Sequence, residues 1–398
     1  MKGLIRMTIR KFSFFEYVEM FLLVLLTVGP TSPFVKAVLY SLVFLYNLVT
    51  NRIKFSFEIK KYSLYLPVLI ILSIIFAMIY DIRNVTPTNP YSLAGFAFFL
   101  PFVFCLFFIQ KYSFDEFLVI LGRVSFFLCI CSLVGFVVQL VAPQIISKLP
   151  TIVYYGRNYK TLLVYGAVPD WSHTALLSRN CGCAWEPGAF QILMNLGIVI
   201  IFKVNKTIRF KQLLRIFIYI LAVVSTLSTA GIIIMCLILF LNIFKFKKTF
   251  FILVLLVLIF APIFVYVFNN QIGKIESGTF DFRFHNSLYV IENHWNEFLG
   301  LGSTGYNAIY STNSEIGSWD LYTNLYLRYG FVFLILFVTI ILKMYRIGFS
   351  FLLVIALSFL SESVLGPVTV LFMYYSLQNN NSISFYRKSY KRGELEVT

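Results

Sequence analysis

Residues 203–268 read KVNKTIRFKQLLRIFIYILAVVSTLSTAGIIIMCLILFLNIFKFKKTFFILVLLVLIFAPIFVYVF, and the architecture follows from how basic and apolar segments alternate within them. A basic cluster (Lys203, Lys206, Arg209, Lys211, Arg215) leads into an apolar run over 212–228. The polar turn Ser228-Thr229-Ala230-Gly231 opens onto a second run over 231–244, and Lys245, Lys247 and Lys248 precede a third over 249–268. Runs of this kind approach the ~20 apolar residues that carry a helix across a bilayer.

The same alternation runs through all 398 residues. Further apolar runs lie at 14–30, 33–50, 62–80, 91–109, 117–141, 187–203, 322–342, 347–361 and 364–378, which makes about twelve predicted transmembrane helices. Basic clusters fall on every second connection and on both termini: Lys2/Arg6/Arg10/Lys11, Arg52/Lys54/Lys60/Lys61, Lys111, the two clusters quoted above, Lys343/Arg346 and Arg387/Lys388/Lys391/Arg392. With those clusters inside, both termini are cytoplasmic, as the positive-inside rule requires. The first run passes through Gly29-Pro30-Thr31-Ser32-Pro33 into the next without a small-residue cleavage site, so it reads as a retained span and not a signal peptide.

Composition agrees. The chain is 59% apolar and 13% charged, whereas a soluble domain is about half apolar and a quarter charged. An aromatic share of 19% excludes a disordered chain. The net charge of +16 would ordinarily raise nucleic acid as a partner. Here most of the basic residues are explained by orientation, and no nucleic-acid partner is expected. The expectation is one integral membrane domain over 1–398, all-α and polytopic, with residues 379–398 as a cytoplasmic tail.

Two long connections face the other side, about 142–186 and 269–321. Long loops in a compact domain are usually functional. All three histidines (His173, His285, His294) and all four tryptophans (Trp171, Trp185, Trp295, Trp319) fall in them. Exclusion of His from lipid and the interfacial preference of Trp explain part of that bias. Within the second loop Phe282, Tyr289, Ile291, Trp295 and Phe298 recur at mostly three- to four-residue steps, predicting a short amphipathic helix that ends at Gly300-Leu301-Gly302.

Few basic residues are left outside, and an outer arginine retained against the charge bias points to a partner. Arg179 lies just before a span, Arg283 on the predicted loop helix and Arg328 inside the tenth span. Arginine's planar fork suits phosphate and keeps its charge. In lipid Arg328 must face a polar cavity, snorkel, or pair with Asp320 or Glu362. Glu186, ahead of Pro187, reads either as an N-capping carboxylate or as a carboxylate at a cavity mouth. Cys105, Cys129, Cys131 and Cys236 read as small apolar fillers within helices. Cys181 and Cys183 are too close to pair without strain and lack partners at metal-ligand spacing. Walker, dinucleotide and nucleophile-elbow motifs are missing from the sequence. No metal and no cofactor is expected.

Three stretches together resemble the O-antigen polymerase family, within the wider group that includes the O-antigen ligases. The first is Arg179 followed by Trp185-Glu186-Pro187-Gly188-Ala189-Phe190. The second is Arg283 followed by Trp295, Leu299-Gly300-Leu301-Gly302 and Gly305-Tyr306. The third is Thr323-Asn324-Leu325-Tyr326-Leu327 with Gly330. Their order and the two large outer loops match the family across most of the chain. The chain departs from it at Thr323, where many members carry His, and at Ser228-Thr229-Ala230-Gly231, where many carry Arg.

The resemblance implies a multi-span, metal-independent glycosyltransferase of the bacterial cytoplasmic membrane, acting on its outer face. Such enzymes polymerise undecaprenyl-diphosphate-linked oligosaccharide repeat units into surface polysaccharide, either the O-antigen of lipopolysaccharide or capsule. Arg179, Arg283 and Arg328 are then the residues expected to hold the diphosphate, whose developing charge preorganised cations stabilise. Glu186, Asp320 and His294 are the candidates for taking the acceptor's proton. Trp171, Trp185, Trp295 and Trp319 could lie against sugar rings. Membrane lipid, a chain-length regulator and a flippase are the expected partners. The alternatives are a ligase-type glycan transferase and, further off, a lipid-linked glycan flippase or transporter.

Overall fold

The structure, a computed structural model, describes residues 11–31, 33–50, 94–109, 111–154, 157–167, 179–205, 207–242, 287–290, 292–294, 298–302, 305–306, 320–362 and 364–378, with isolated positions between 68 and 75 and at 265 and 269. Helices predominate. In chain order they are α1 (Phe14–Val28), α2 (Pro33–Val49), α3 (Ala94–Phe108), α4 (Phe114–Val141), α5 (Pro143–Ser147), α6 (Pro187–Val204), α7 (Phe210–Ser225), α8 (Thr229–Leu241), α9 (Leu321–Lys343), α10 (Phe349–Ser361) and α11 (Pro367–Leu377). Between α5 and α6 runs an antiparallel sheet of β1 (Thr151–Tyr154), β2 (Arg157–Thr161) and β3 (Gly166–Ala167), in that order.

The chain is mostly helical, consistent with an all-α membrane protein, and the sheet is an addition in the first outer loop, where short amphipathic helices were expected. Strands β1 and β2 pair in register, Thr151 with Lys160, Val153 with Asn158 and Tyr154 with Arg157. Both segments are rich in β-branched and aromatic residues, which fit a pleated, half-buried surface better than a helix. Of the first loop's helical content only α5 is seen among the described residues.

Three helices are long and apolar enough to cross a membrane: α4, α6, and α9 extended through a turn of 3-10 helix to Arg346. Shorter apolar helices occupy Val35–Val49, Thr229–Leu241, Phe349–Ser361 and Pro367–Leu377. These helices mark a membrane-associated protein. The predicted spans at 62–80 and 249–268 and the tail at 379–398 lie largely or wholly outside the described residues.

Local chemistry sets the helix starts. Ser13 and Ser113 each form a capping box with the glutamate three residues on: the Ser113 hydroxyl accepts from Glu116 N at 3.3 Å while Glu116 Oε2 accepts from Ser113 N at 2.9 Å. This satisfies two orphan donors at once. Pro187 and Pro367 stand at the first turns of α6 and α11, where the missing N–H costs nothing.

The chain divides into two compact units, Met1–Thr31 with Tyr112–Val267, and Ser32–Lys111 with Phe268–Thr398. In the first, α6 packs against α4, α7 and α8. Gly197 leaves room on α6 for the Tyr219 ring, whose hydroxyl meets Ser125 Oγ of α4 at 2.8 Å. Of its apolar window 89% is buried within the protein, against 28% for α4, so α6 is the centre of this unit and α4 its periphery. In the second unit, α3 packs on α2 and α11, and α9 on α10 and α11. Phe333 and Phe337 of α9 stack, and Phe337 stacks on Phe359 of α10.

Candidate functional site

In the first unit the candidate residues lie on the strap 179–186 that feeds α6. Helix α7 ends at Ser225 and α8 begins at Thr229, leaving a break with carbonyls beyond the last turn. Such carbonyls lack intrahelical donors and carry the negative end of the helix dipole. Arg179 answers both. Its Nε donates to Thr226 O at 3.0 Å and its Nη2 to Leu227 O at 3.4 Å. Leu227 itself is held at a positive φ of 50°, a conformation that costs a non-glycine residue about 1–3 kcal/mol unless its surroundings impose it.

Asn180, fully buried, pins the strap to the same helix end. Its backbone N donates to Ser225 O at 3.0 Å, its Nδ2 to Ser225 Oγ at 2.9 Å, and its Oδ1 accepts from Gly182 N at 2.9 Å. Gly182 has φ 54°, and any side chain there would run into the Phe190 ring. Gly182 O accepts from Gly166 N of β3 at 2.6 Å, and Trp185 N donates to Val28 O at the end of α1 at 3.0 Å. The strap is thereby tied to α7, β3 and α1. Asn180 was not singled out from the sequence. A polar residue beside an arginine ahead of a buried Gly was the available signal.

Trp185 is half-buried and packs on Tyr159 and Cys181. Glu186 is the N-cap residue of α6 in extended geometry, yet its side chain makes no capping bond. Its carbonyl, not its carboxylate, accepts from Phe190 N at 3.1 Å. Burial pushes the Cys181 thiol up to about 12; Arg179 opposes that rise and Glu186 reinforces it, so both charges are within electrostatic reach of the thiol. Cys183 is likewise pushed up to about 12, first by burial, and both thiols are unpaired with each other.

In the second unit the candidates centre on α9. Asp320 is its N-cap: Oδ1 accepts from Thr323 N at 2.7 Å, and Oδ2 from Ser287 Oγ at 2.9 Å. One carboxylate thus starts the helix and fastens the 287–294 segment to it. The Tyr326 hydroxyl donates to His294 O, and Val290 packs on Tyr326 and Leu327. Among the described residues of this segment the buried one is Val290, which the three- to four-residue periodicity passed over; Phe298 is exposed.

Helix α9 is broken at Gly330, with φ 83° and ψ 178°. Against the break runs Phe298–Leu301, backbone on backbone. Leu301 N donates to Leu327 O at 2.7 Å, and a Cβ at Gly330 would collide with Phe298 O. Gly300, φ 77°, meets Arg328 O and Gly330 N in the same way. The two glycine motifs singled out from the sequence are therefore halves of one contact.

Arg328 lies just before that break. Its guanidinium stands 4.0 Å over the Tyr306 ring, and its Nε is buried with no hydrogen-bond partner among the described residues. Pairing with Asp320 or Glu362, open from the sequence, is not found there. Tyr306 as the stacking partner was not foreseen. Arg283, Trp171, Trp295 and Trp319 lie outside the described residues. Among the described residues no group of three His, Cys, Asp or Glu could hold a metal ion. Compared with protein-family models, curated proteins and solved structures, the chain matches none.

Proposed function

We propose that the chain is a membrane-embedded glycosyltransferase that polymerises undecaprenyl-diphosphate-linked oligosaccharide repeat units on the outer face of a bacterial cytoplasmic membrane. The observation that carries this reading is Arg328: a guanidinium on a broken, membrane-spanning helix, backed by Tyr306, with a buried Nε that has no partner among the described residues. A cation at such a place is costly without an anion to meet it, and a lipid diphosphate supplies one with oxygens for the fork.

In the proposed reaction the acceptor sugar's hydroxyl oxygen attacks the anomeric carbon of the donor glycan. The carbon–oxygen bond to the diphosphate breaks, and its electron pair leaves with the lipid diphosphate, whose added charge Arg328 and Arg283 stabilise. The hydroxyl proton passes to a carboxylate or imidazole of the outer loops. Within the unit that carries Arg328, both oxygens of Asp320 are already engaged, which leaves His294 as the candidate there. Arg179, in the other unit, acts as the clamp of the strap that leads into α6.

The test is to incubate the purified protein with one defined lipid-linked repeat unit and resolve the products by size. A ladder is expected. Transfer of a finished glycan onto a different acceptor, with no ladder, would make the enzyme a ligase. Movement of the intact lipid-linked unit across vesicles, with no new glycosidic bond, would make the protein a flippase.

A further inference from the structure

The turn joining β2 to β3 carries an anomaly that the glycosyltransferase reading does not use. Leu162 and Leu163, at its tip, are 54% and 56% exposed, and Leu163 adopts φ 67°. That is a place for Gly or Asn; a branched apolar residue there is strained and gains nothing from water. The turn is nevertheless held tightly. Leu162 N donates to Tyr165 O at 2.9 Å, Val164 N to Leu162 O at 2.8 Å, and Leu163 N to Thr161 Oγ1 at 3.1 Å.

Tyr165 fixes where the tip lies. It is buried against Ile146 and Ala167, its ring fills the space a side chain at Gly135 would need, and its hydroxyl donates to Gln139 Oε1 of α4. At 1.5 Å per residue, α4 is ~42 Å long, so it overhangs a ~30 Å hydrocarbon core by ~6 Å at each end when centred. Gly135 is six residues before the last, Val141, or ~9 Å back along the axis, which sets the turn at the hydrocarbon boundary. The neighbouring face of α4 is an exposed apolar stripe: Phe127, Ile130, Val134, Val137 and Val141 recur at three- and four-residue steps. Lys148 is exposed just beyond α5, and Lys160 pairs with Thr151 in the sheet, two cations at headgroup level.

We infer that the β2–β3 turn is a lipid-inserting wedge, with Leu162 and Leu163 seated among the acyl chains of the bilayer leaflet at the C-terminal end of α4, and with Lys148 and Lys160 beside anionic headgroups. The strained leucine is held there because the bilayer receives it. The wedge continues the surface that α4 already presents to lipid and keeps the sheet, with the strap bonded to β3, at fixed depth.

Spin labels placed by Leu162→Cys, Leu163→Cys and Asn158→Cys, in a background carrying Cys131→Ser and Cys236→Ser, test it in phosphatidylethanolamine–phosphatidylglycerol vesicles. The ratio of collisions with oxygen to collisions with a water-soluble nickel complex should be at least tenfold higher at 162 and 163 than at 158. Equal ratios at the three positions would overturn the inference. So would spin–spin broadening at 162 that vanishes on dilution with unlabelled protein, which would assign the turn to a second copy of the chain. If the Leu163→Cys protein does not fold, position 162 reads the same turn. The readout is independent of glycosyl transfer, so an inactive but wedge-inserted protein would sink the enzymatic reading alone.

Discussion

Arg179 and Arg328 enter the sequence on the same argument, as outer arginines kept against the charge bias, and the fold treats them in opposite ways. Arg179 donates to the carbonyls of Thr226 and Leu227 at the end of α7. Arg328 has an aromatic ring at its face and a buried Nε without a partner among the described residues. The first is held by the protein's own backbone, the second by a ring that leaves its donors to something else. An outer arginine is therefore a question about where its hydrogen bonds go, and only the answer separates a structural clamp from a ligand for substrate.

Breaking that contrast begins at Arg328. Arg328→Ala should lower the rate of glycan ladder formation by about 10²–10³, the usual loss of one preorganised donor to a developing oxyanion. Its stability should fall by only about 2 kcal/mol, the worth of a desolvated cation–π contact, too little to account for that loss of rate. A protein that instead unfolds with its ladder activity per folded molecule intact would make Arg328 structural. Next comes its setting. Gly330→Ala forces a side chain into the Phe298 carbonyl at a positive φ and should cost about 3 kcal/mol of stability, from strain and overpacking together. Denaturation that leaves Gly330→Ala as stable as wild type would show that the Phe298–Leu301 contact is loose.

Arg179→Ala sharpens the other side. Losing the 3.0 Å bond to Thr226 O, with the longer one to Leu227 O adding less, should destabilise the fold by at least about 1.5–3 kcal/mol, with activity falling in proportion to folded protein. A stable, inactive Arg179→Ala would move this residue to the substrate. The smallest effect is that of the thiols beside it. Both Cys181 and Cys183 are pushed to about 12, so their folded-state values lie above the ordinary thiol value of about 9. The unfolded chain then loses protons first as pH rises through 9, and stability falls with pH by about 1 kcal/mol per thiol at pH 10. Below pH 8 no dependence from these groups is expected. Rapid alkylation of either thiol at pH 8 in the folded protein would contradict their burial.

Much of the fold was readable because it depends on neighbours in sequence. The apolar runs at 117–141, 187–203 and 322–342 correspond to α4, α6 and α9 to within a few residues. Pro187 at the first turn marks the start of α6, and the caps of Ser113 with Glu116 and Asp320 with Thr323, not singled out from the sequence, act over the same short range of three residues. What was not readable depends on distance along the chain. The destination of the Arg179 guanidinium lies 47 residues on, and it exists only because α7 stops where it does. Asp320 looked equally able to accept a proton until Ser287 was seen on its second oxygen. The sheet escaped because its strands are short and follow an apolar run that dominates the local pattern.

The depth at which α6 is buried has a consequence for how the protein is made. This helix carries Gln191 and Asn195, both fully buried, with Gln191 Oε1 accepting from Asn195 Nδ2 at 2.8 Å and Asn195 Nδ2 also reaching Gly231 O of α8 at 3.1 Å. On the ribosome α6 emerges before α7 and α8, so for some forty residues of synthesis its amides have no partner on one side and hydrocarbon is a poor host for them. We expect nascent chains arrested when α6 has just left the ribosome to crosslink through α6 to the insertion machinery, and chains arrested with α8 also fully emerged to be released from it. Equal crosslinking at both lengths would rule this out. The helix at the heart of the unit would then be the last of its neighbours to be surrendered to the bilayer, and synthesis through Gly231 the event that lets it go.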